Sequence, residues 1–166
     1  MEIDIGISKD HREKIAESLS RVLADTHVLY LKTHGYHWNV TGPMFASLHL
    51  LFETQYNELH DATDLLAERI RAIGHFAPAS LGVYAKLTHI REENEAVPPA
   101  LSMVRNLLMG HEALSRSTRQ AFKAAEDAGD QATMDLLTGR MEASDKAAWM
   151  LRSHLENPQS ETMPKV

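Results

Sequence analysis

Residues 37–71, HWNVTGPMFASLHLLFETQYNELHDATDLLAERIR, decide the fold of this chain. A Thr-Gly-Pro break at 41–43 separates the initial His-Trp-Asn from a stretch that contains no glycine or proline as far as Ile73. Leu, Ala, Glu, Met and Gln dominate that stretch, and all five are good helix formers. The sequence therefore predicts one long helix over about 44–73, with the proline at or near its first turn.

Four potential metal ligands lie at helical spacing on this helix. His49 and Glu53 are four residues apart, and so are Asp64 and Glu68. At about 100° per residue, the step from Glu53 to Asp64 returns to within roughly 20° of the same direction, so the four residues share one face. The rise of about 1.5 Å per residue separates His49 from Glu68 by roughly 28 Å, which one metal ion cannot bridge.

A second copy of the helix can bring the two pairs together. In an antiparallel self-pairing, the residue numbers of facing residues have a constant total. The residue numbers of His49 and Glu68 add up to the same value as those of Glu53 and Asp64. Both pairs can therefore face each other in one antiparallel pairing. A two-fold axis near residues 58–59 would therefore set the imidazole–carboxylate pair of each chain against the carboxylate pair of the other. Imidazole and carboxylate ligands suit iron, manganese or zinc. The alternative interpretation is that the four residues form a solvated acidic face of the helix.

These residues resemble the motif of the Dps family, the bacterial mini-ferritins, and the similarity extends from about residue 16 to residue 157. It is carried by His37-Trp38-Asn39, His49, Glu53, Asp64 and the Ala67-Glu68-Arg69-Ile70 run. The resemblance implies a ferroxidase site at a two-fold interface. One chain would supply His37, His49 and Glu53. The other ligands would be the partner's Asp64 and the partner's Glu68. The family often has Asp where this chain has Glu53.

The resemblance also implies an activity. Such proteins oxidise Fe(II), preferably with hydrogen peroxide, and store the ferric mineral in a hollow dodecameric shell, which protects DNA from oxidative damage. We expect a pair of iron positions, Fe(II) and then Fe(III), at each site, with zinc as a substitute. Carboxylate oxygens stabilise Fe(III), and neutral imidazole binds the divalent ion. The alternatives are a nucleoid-associated, DNA-condensing protein with little ferroxidase activity and a zinc-holding structural cage.

Length and composition narrow the class of protein. The chain has 166 residues, which suits one domain, and no cysteine, which excludes disulfides and thiol catalysis. We expect a cytoplasmic location, because no apolar run is long enough to span a membrane and the first residues are acidic. The formal charge of −6 and the lack of a lysine cluster in 1–12 or 157–166 predict weak or absent DNA binding.

Hydrophobic periodicity predicts three further long helices, over about 9–36, 99–127 and 130–155. A connection rich in proline and glycine joins the second and third long helices, and residues 80–87 within it suit a short helix. The predicted fold is therefore all-α, a ferritin-like four-helix bundle with one long crossover. The bundle domain would span 9–157, between short tails at 1–8 and 158–166.

For several other histidines the sequence gives less support for a role as metal ligands. His60 and His75 lie near the acidic stripe, and either one could add a ligand. His27 and His34 are interpreted as surface or capping residues. His111 falls in an apolar stripe, so we expect a core histidine with satisfied hydrogen bonds rather than a ligand.

Two further features suggest roles beyond the ligand set. Trp38 beside a redox metal either packs against the helix pair or acts as an electron sink. An acidic cluster surrounds the turn between the third and fourth helices, at Glu126, Asp127, Asp130 and Asp135. Acidic turns are often simply solvated, but the resemblance implies that these residues line three-fold pores that attract Fe(II).

Overall fold

The computed structural model describes residues 3–92 and 96–156. Over these residues all the regular secondary structure is helical, without a strand, and the predicted all-α fold is confirmed. Its elements are α1 (Lys9–Asn39), α2 (Phe45–Ala72), α3 (Leu81–Leu87), α4 (Ala100–Asp127) and α5 (Gln131–Ser153). The four long helices form the bundle, and the short α3 lies in the long crossover between α2 and α4, as the sequence predicts.

The core lies between the four long helices. Helix α1 packs along both α2 and α4, and α5 packs mainly on α4. The largest fully buried side chains include Leu19, Leu23 and Leu29 of α1, Phe52, Leu59 and Leu66 of α2, and Met103 and Leu107 of α4. Burying each of them contributes about 1.5–3 kcal/mol, so the apolar stripes hold the bundle together.

Gly110 allows α4 to approach α1 closely. A Cβ atom at this position would lie 2.5 Å from the Cδ1 atom of Leu29, which is closer than van der Waals contact allows. Leu29 is completely buried, so it has little room to move. The glycine is therefore needed for the close packing of these two helices.

Helix α1 is longer than the sequence predicts. The prediction ended it near residue 36 because glycine weakens helices, yet α1 continues through Gly35 to Asn39. The side-chain amide of Asn39 donates a hydrogen bond of 2.7 Å to the carbonyl of Gly35, and the amide of Val40 donates one to the carbonyl of Tyr36. These bonds satisfy carbonyls at the end of the helix, and they place His37 and Trp38 on its last turn rather than in a loop.

Asp25 fixes the crossover against α1. Its carboxylate is completely buried and accepts hydrogen bonds from the Thr88 hydroxyl (2.9 Å) and from the backbone amide of His89 (2.6 Å). The His89 ring nitrogen Nδ1 lies 3.2 Å from the same carboxylate. The segment that follows α3 is therefore held in a defined position on the bundle.

The ends of the domain are only partly described. The predicted C-terminal tail, 158–166, lies outside the described residues, so the domain limits remain a prediction. In the part of the chain that is described, no helix is both long enough and apolar enough to cross a lipid bilayer.

Candidate metal site

Two of the predicted ligands, His37 and His49, face each other across the turn between α1 and α2. Their rings are stacked, with centroids 3.7 Å apart and an interplanar angle of 21°. The Nδ1 atom of His37 lies 2.9 Å from the backbone carbonyl of His49, and the Nδ1 atom of His49 lies 2.9 Å from the backbone carbonyl of His37. The two residues are half-buried and hold each other in place.

This reciprocal arrangement determines which nitrogens can bind a metal. A carbonyl oxygen can only accept a hydrogen bond, so each Nδ1 carries the hydrogen and donates it. In a neutral imidazole the Nε2 atom then has a free lone pair. Metal-binding histidines are commonly oriented in this way, by donating their other nitrogen to a carbonyl or a carboxylate. Each ring of the pair therefore leaves its Nε2 atom free to bind a cation.

The predicted carboxylate ligands lie along α2. Glu53 follows His49 by one turn and is half-buried, whereas Asp64 and Glu68 are exposed further along the helix. Within the described part of the chain, none of the three carboxylates takes part in a hydrogen bond or an ion pair. Each of them is therefore available to a ligand.

One chain alone does not complete a metal site. Among the residues that the structure describes, no three His, Asp or Glu side chains lie close enough together to hold a metal ion. The structure brings His37 and His49 together, but Asp64 and Glu68 lie several turns away on α2. Because of this separation, the sequence predicts a site shared between two chains.

Trp38 and Tyr56 lie beside the imidazole pair. Trp38 packs on the ring of His34, at a centroid distance of 4.3 Å, but its side chain is 61% exposed. Packing within one chain therefore accounts for only part of its surface. The ring of Tyr56 meets that of His37 edge-on at 5.1 Å. Tyr56 was not predicted from the sequence, although it lies seven residues after His49 and so on the same face of α2.

The other histidines lie away from the pair or on its margin. His27 and His34, interpreted from the sequence as surface or capping residues, are both partly exposed, and each ring lies against a tyrosine. His60 is exposed on the ligand face of α2, and its ring lies 5.5 Å from that of Tyr30. His75 follows the far end of α2.

His111 is buried as predicted, but its hydrogen bonds are not satisfied. The residue is 1% exposed, and neither ring nitrogen has a partner among the described residues. Burial, with a further contribution from the positive charge of Arg140, lowers the pKa of His111 to about 3. The imidazole is therefore neutral at every physiological pH.

Asp130 departs from the predicted role of the acidic turn. It is buried, caps α5, and accepts hydrogen bonds from Arg69 (2.6 and 2.7 Å) and from the hydroxyl of Thr133 (2.5 Å). Burial alone would raise the pKa of Asp130, but the bonds from Arg69 and Thr133 and the charge of Arg69 outweigh it, and the pKa is lowered. This carboxylate is engaged inside the protein, so it does not line a solvated pore.

The remaining acidic residues of the turn stay exposed. Glu126 and Asp127 both pair with Lys123, which neutralises part of their charge. Asp135 is exposed and has no ion pair in the part of the chain that the structure describes. Of the four predicted pore residues, Asp135 is therefore the one whose charge is fully available to solvent.

Comparison with known proteins identifies the family. A family model described as a ferritin-like domain matches residues 16–160, and the chain belongs to that family. The chain is 35% identical to DNA protection during starvation protein 2 of Bacillus anthracis, over 86% of its own length and 97% of the relative's. Within the ferritin-like proteins it is therefore a member of the Dps family.

Solved structures support the same assignment. DpsC of Streptomyces coelicolor superposes with a TM-score of 0.90 at 28% identity, covering 100% of this chain and 94% of that one. The Dps protein of Vibrio cholerae, described as a member of a broad superfamily of ferritin-like diiron-carboxylate proteins, superposes at 0.85 with 29% identity, covering 93% and 100%. The fold expected from the sequence motif is thus found in known Dps proteins.

Proposed function

We propose that this chain is the subunit of a mini-ferritin that oxidises Fe(II) at sites shared between two subunits. Hydrogen peroxide is the preferred oxidant, and the ferric product is stored inside a dodecameric shell. The observation that carries the proposal is the stacked imidazole pair, in which His37 and His49 donate through Nδ1 and present both Nε2 atoms. Family membership supports the iron chemistry.

Two exposed leucines support the antiparallel pairing of α2. Leu50 and Leu65 are 62% and 55% exposed, although such side chains are usually buried. They lie on opposite sides of residues 58–59, the point through which the proposed two-fold axis passes. In the paired state Leu50 of each subunit would lie within about one helical turn of Leu65 of the partner subunit, and both would be removed from water.

The residues of the site divide the chemistry between them. His37 and His49 bind the divalent ion through neutral nitrogens, and Glu53, with the partner's Asp64 and the partner's Glu68, supplies oxygen ligands that favour Fe(III). A pair of iron ions at each site would supply the two electrons that reduce one peroxide to water. Zinc fits the same donor set and would occupy it without redox chemistry.

Protection of DNA would follow from the removal of Fe(II) and peroxide rather than from tight binding. The net charge of −6 opposes adhesion to phosphate, so we expect at most weak DNA binding at physiological salt. The site of action would be the cytoplasm. Asp135, together with Glu126 and Asp127, would attract Fe(II) toward the shell by its negative charge.

Mixing two inactive variants tests the shared site directly. His49→Ala and Asp64→Ala should each slow peroxide-driven Fe(II) oxidation, as should His37→Ala, while the shell still assembles. His49→Ala and Asp64→Ala subunits are unfolded, mixed and reassembled. Each mixed pair then has one site with all its ligands and a second site that carries both substitutions. With random mixing, about a quarter of the sites should become functional again.

The control is a mixture of His37→Ala with His49→Ala. Both changes fall on the imidazole half, so no combination of these subunits restores a complete site. Equal activity of the two mixtures would contradict a site shared between subunits. Wild-type rates in all three single variants would show that these residues are not the ferroxidase ligands.

A further inference from the structure

Aromatic and imidazole rings form a continuous series along the seam between α1 and α2. Next to the imidazole pair, the ring of Tyr56 meets His37 at 5.1 Å and stacks on His34 at 4.1 Å. His34 also contacts Trp38 at 4.3 Å. We call this series the ring ladder; it consists of Trp38, His34, Tyr56, Tyr30, His27 and Tyr84.

The ladder continues away from the site through a second tyrosine. The centroid of Tyr30 lies 5.7 Å from that of His34 and 6.3 Å from that of Tyr56. The hydroxyl of Tyr30 is 3.4 Å from Nδ1 of His34, which fixes the two rings relative to each other. From Tyr30 the contacts pass to His27 at 5.9 Å and from there to the buried Tyr84 at 4.8 Å.

Helical spacing explains why the rings meet. His27, Tyr30, His34 and Trp38 follow one another at intervals of three or four residues, so they form a stripe on α1. Tyr56 lies on the ligand face of α2, and the two helices pack along their length. No metal ligand is needed to hold this arrangement, which is fixed by the helix pair itself.

We propose that the ring ladder conducts an oxidising equivalent from the imidazole pair to Tyr56 and Tyr30, which act as one-electron donors. Tyrosine and tryptophan are the aromatic side chains that lose an electron most readily, and this chain has no cysteine to compete with them. The two tyrosines are only half-buried, so a phenolic proton can leave to solvent when the electron is lost. His34 contacts Trp38 and both tyrosines, so it connects these rings.

This proposal rests on the proposed ferroxidase function, which supplies the oxidant, and it concerns a site that holds a single Fe(II). Peroxide needs two electrons, and one Fe(II) gives only one. The tyrosine gives the second electron and releases its phenolic proton. Peroxide takes up both electrons and two protons from solvent and becomes two water molecules, so no hydroxyl radical is released. The products are Fe(III) and a neutral tyrosyl radical.

The two tryptophans of the chain allow a test without iron. Trp38 and Trp149 are equally exposed, at 61% each, but Trp149 has no ring contact within the part of the chain that the structure describes. The Trp149→Phe shell therefore retains only the tryptophan on the ladder, and the Trp38→Phe shell retains only the one outside it. Azide radicals generated by pulse radiolysis oxidise tryptophan, and transient absorption then follows the formation of tyrosyl radical.

We expect Trp149→Phe to convert its tryptophan radical into a tyrosyl radical at a rate independent of protein concentration. Trp38→Phe should lose this conversion, and so should Trp149→Phe when it also carries Tyr30→Phe and Tyr56→Phe. Phenylalanine keeps the rings packed but cannot donate the electron. Equal conversion in the two single-tryptophan shells, or no effect of the tyrosine changes, would overturn the proposal.

A second measurement connects the ladder to iron. With less than one Fe(II) per site, peroxide should release more hydroxyl radical, detected by spin trapping, from Tyr30→Phe/Tyr56→Phe than from the wild type or Trp149→Phe. Equal release would contradict the connection to the site. Failure of the wild type to oxidise Fe(II) would instead refute the proposed function, while the radiolysis result would still decide whether the ladder conducts.

Discussion

At the scale of single residues, hydrogen-bond partners decide what each histidine can do. His37 and His49 each donate to a backbone carbonyl, so their other nitrogens are free for a metal. The sequence could indicate these residues as ligands, through their resemblance to a known motif and the spacing of His49 from the carboxylates. It could not indicate the exchange of carbonyl bonds, because that depends on how the turn brings two helix ends together. His111 shows the opposite case, a buried histidine whose ring nitrogens have no hydrogen-bond partner among the described residues.

His111→Leu should make the protein less sensitive to acid. The native imidazole has a pKa of about 3, whereas an unfolded chain binds a proton near the ordinary value of 6.5. Its contribution to stability is therefore complete above pH 6.5 and is lost progressively between about 6.5 and 3. At pH 5 the loss is about 2 kcal/mol in the free energy of unfolding. Thermal unfolding of the variant should change less between pH 7 and 5 than that of the wild type.

His75→Leu is the matched control for this measurement. His75 lies after the end of α2 and outside the apolar core, so its replacement should leave the pH dependence of unfolding as in the wild type. At pH 7, His111→Leu should be as stable as the wild type or more so, because it removes two buried nitrogens that lack partners within residues 3–92 and 96–156. If His111→Leu and His75→Leu respond to acid equally, the imidazole of His111 does not limit stability.

At the scale of helices, the sequence predicted which helices exist better than it predicted the residues at which they begin and end. The range 44–73 agrees with α2, and 80–87 agrees with α3, because apolar spacing and breaker residues define both. Helix α1 was misjudged at Gly35, where the bond from Asn39 offsets the weak helix propensity of glycine. The pairing of Asp130 with Arg69 could not be predicted either, because it joins residues 61 positions apart on different helices.

Asp130→Asn should destabilise the bundle by about 1–3 kcal/mol in the free energy of unfolding, because it weakens a helix cap and leaves Arg69 without its counter-charge. The native pKa of Asp130 is lowered, so its contribution is present above the unfolded value near 3.8 and is lost as the pH falls below it. The difference between variant and wild type should therefore be constant from pH 7 to about 5 and shrink below about 4. Urea unfolding at one protein concentration measures it.

Asp135→Asn provides the comparison on the same helix. Asp135 is exposed on the first turns of α5 and has no ion pair among the described residues, so its replacement should change stability by less than about 0.5 kcal/mol. A similar loss in both variants would mean that net charge, rather than the bond to Arg69, accounts for the effect of Asp130→Asn.

At the scale of the whole molecule, the proposed pairing of α2 connects assembly with activity. In this proposal a single chain would supply the imidazole half of one site and the carboxylate half of another, so neither would be complete before two chains meet. The spacing of the ligands suggested this arrangement from the sequence. The exposed leucines on either side of the midpoint of α2 became apparent only from the folded chain, because exposure depends on which faces the other helices cover.

Leu50→Glu combined with Leu65→Glu should prevent the pairing and reduce ferroxidase activity together with it. Each change places a charge where an apolar side chain would be buried against the partner, which is strongly unfavourable. Light scattering coupled to size-exclusion chromatography should report smaller species, and circular dichroism should report unchanged helix content. Met109→Glu is the control, since Met109 is 53% exposed on α4, a helix that does not pack against α2 in the described part of the chain. Intact shells from the double variant would contradict the pairing.

The turn between α1 and α2 has a consequence for the order of events during synthesis. His37 and His49 are only 12 residues apart, and their mutual bonds need nothing beyond the first helical hairpin. Local hairpins form early because little chain entropy is lost in closing them. A nascent chain emerging from the ribosome therefore has its nitrogen donors oriented before α4 and α5 have been translated. Under the proposed function, the partner's Asp64 and the partner's Glu68 come only with a second polypeptide, so a newly made subunit would have its nitrogen donors oriented but no complete site for redox turnover until it has dimerised.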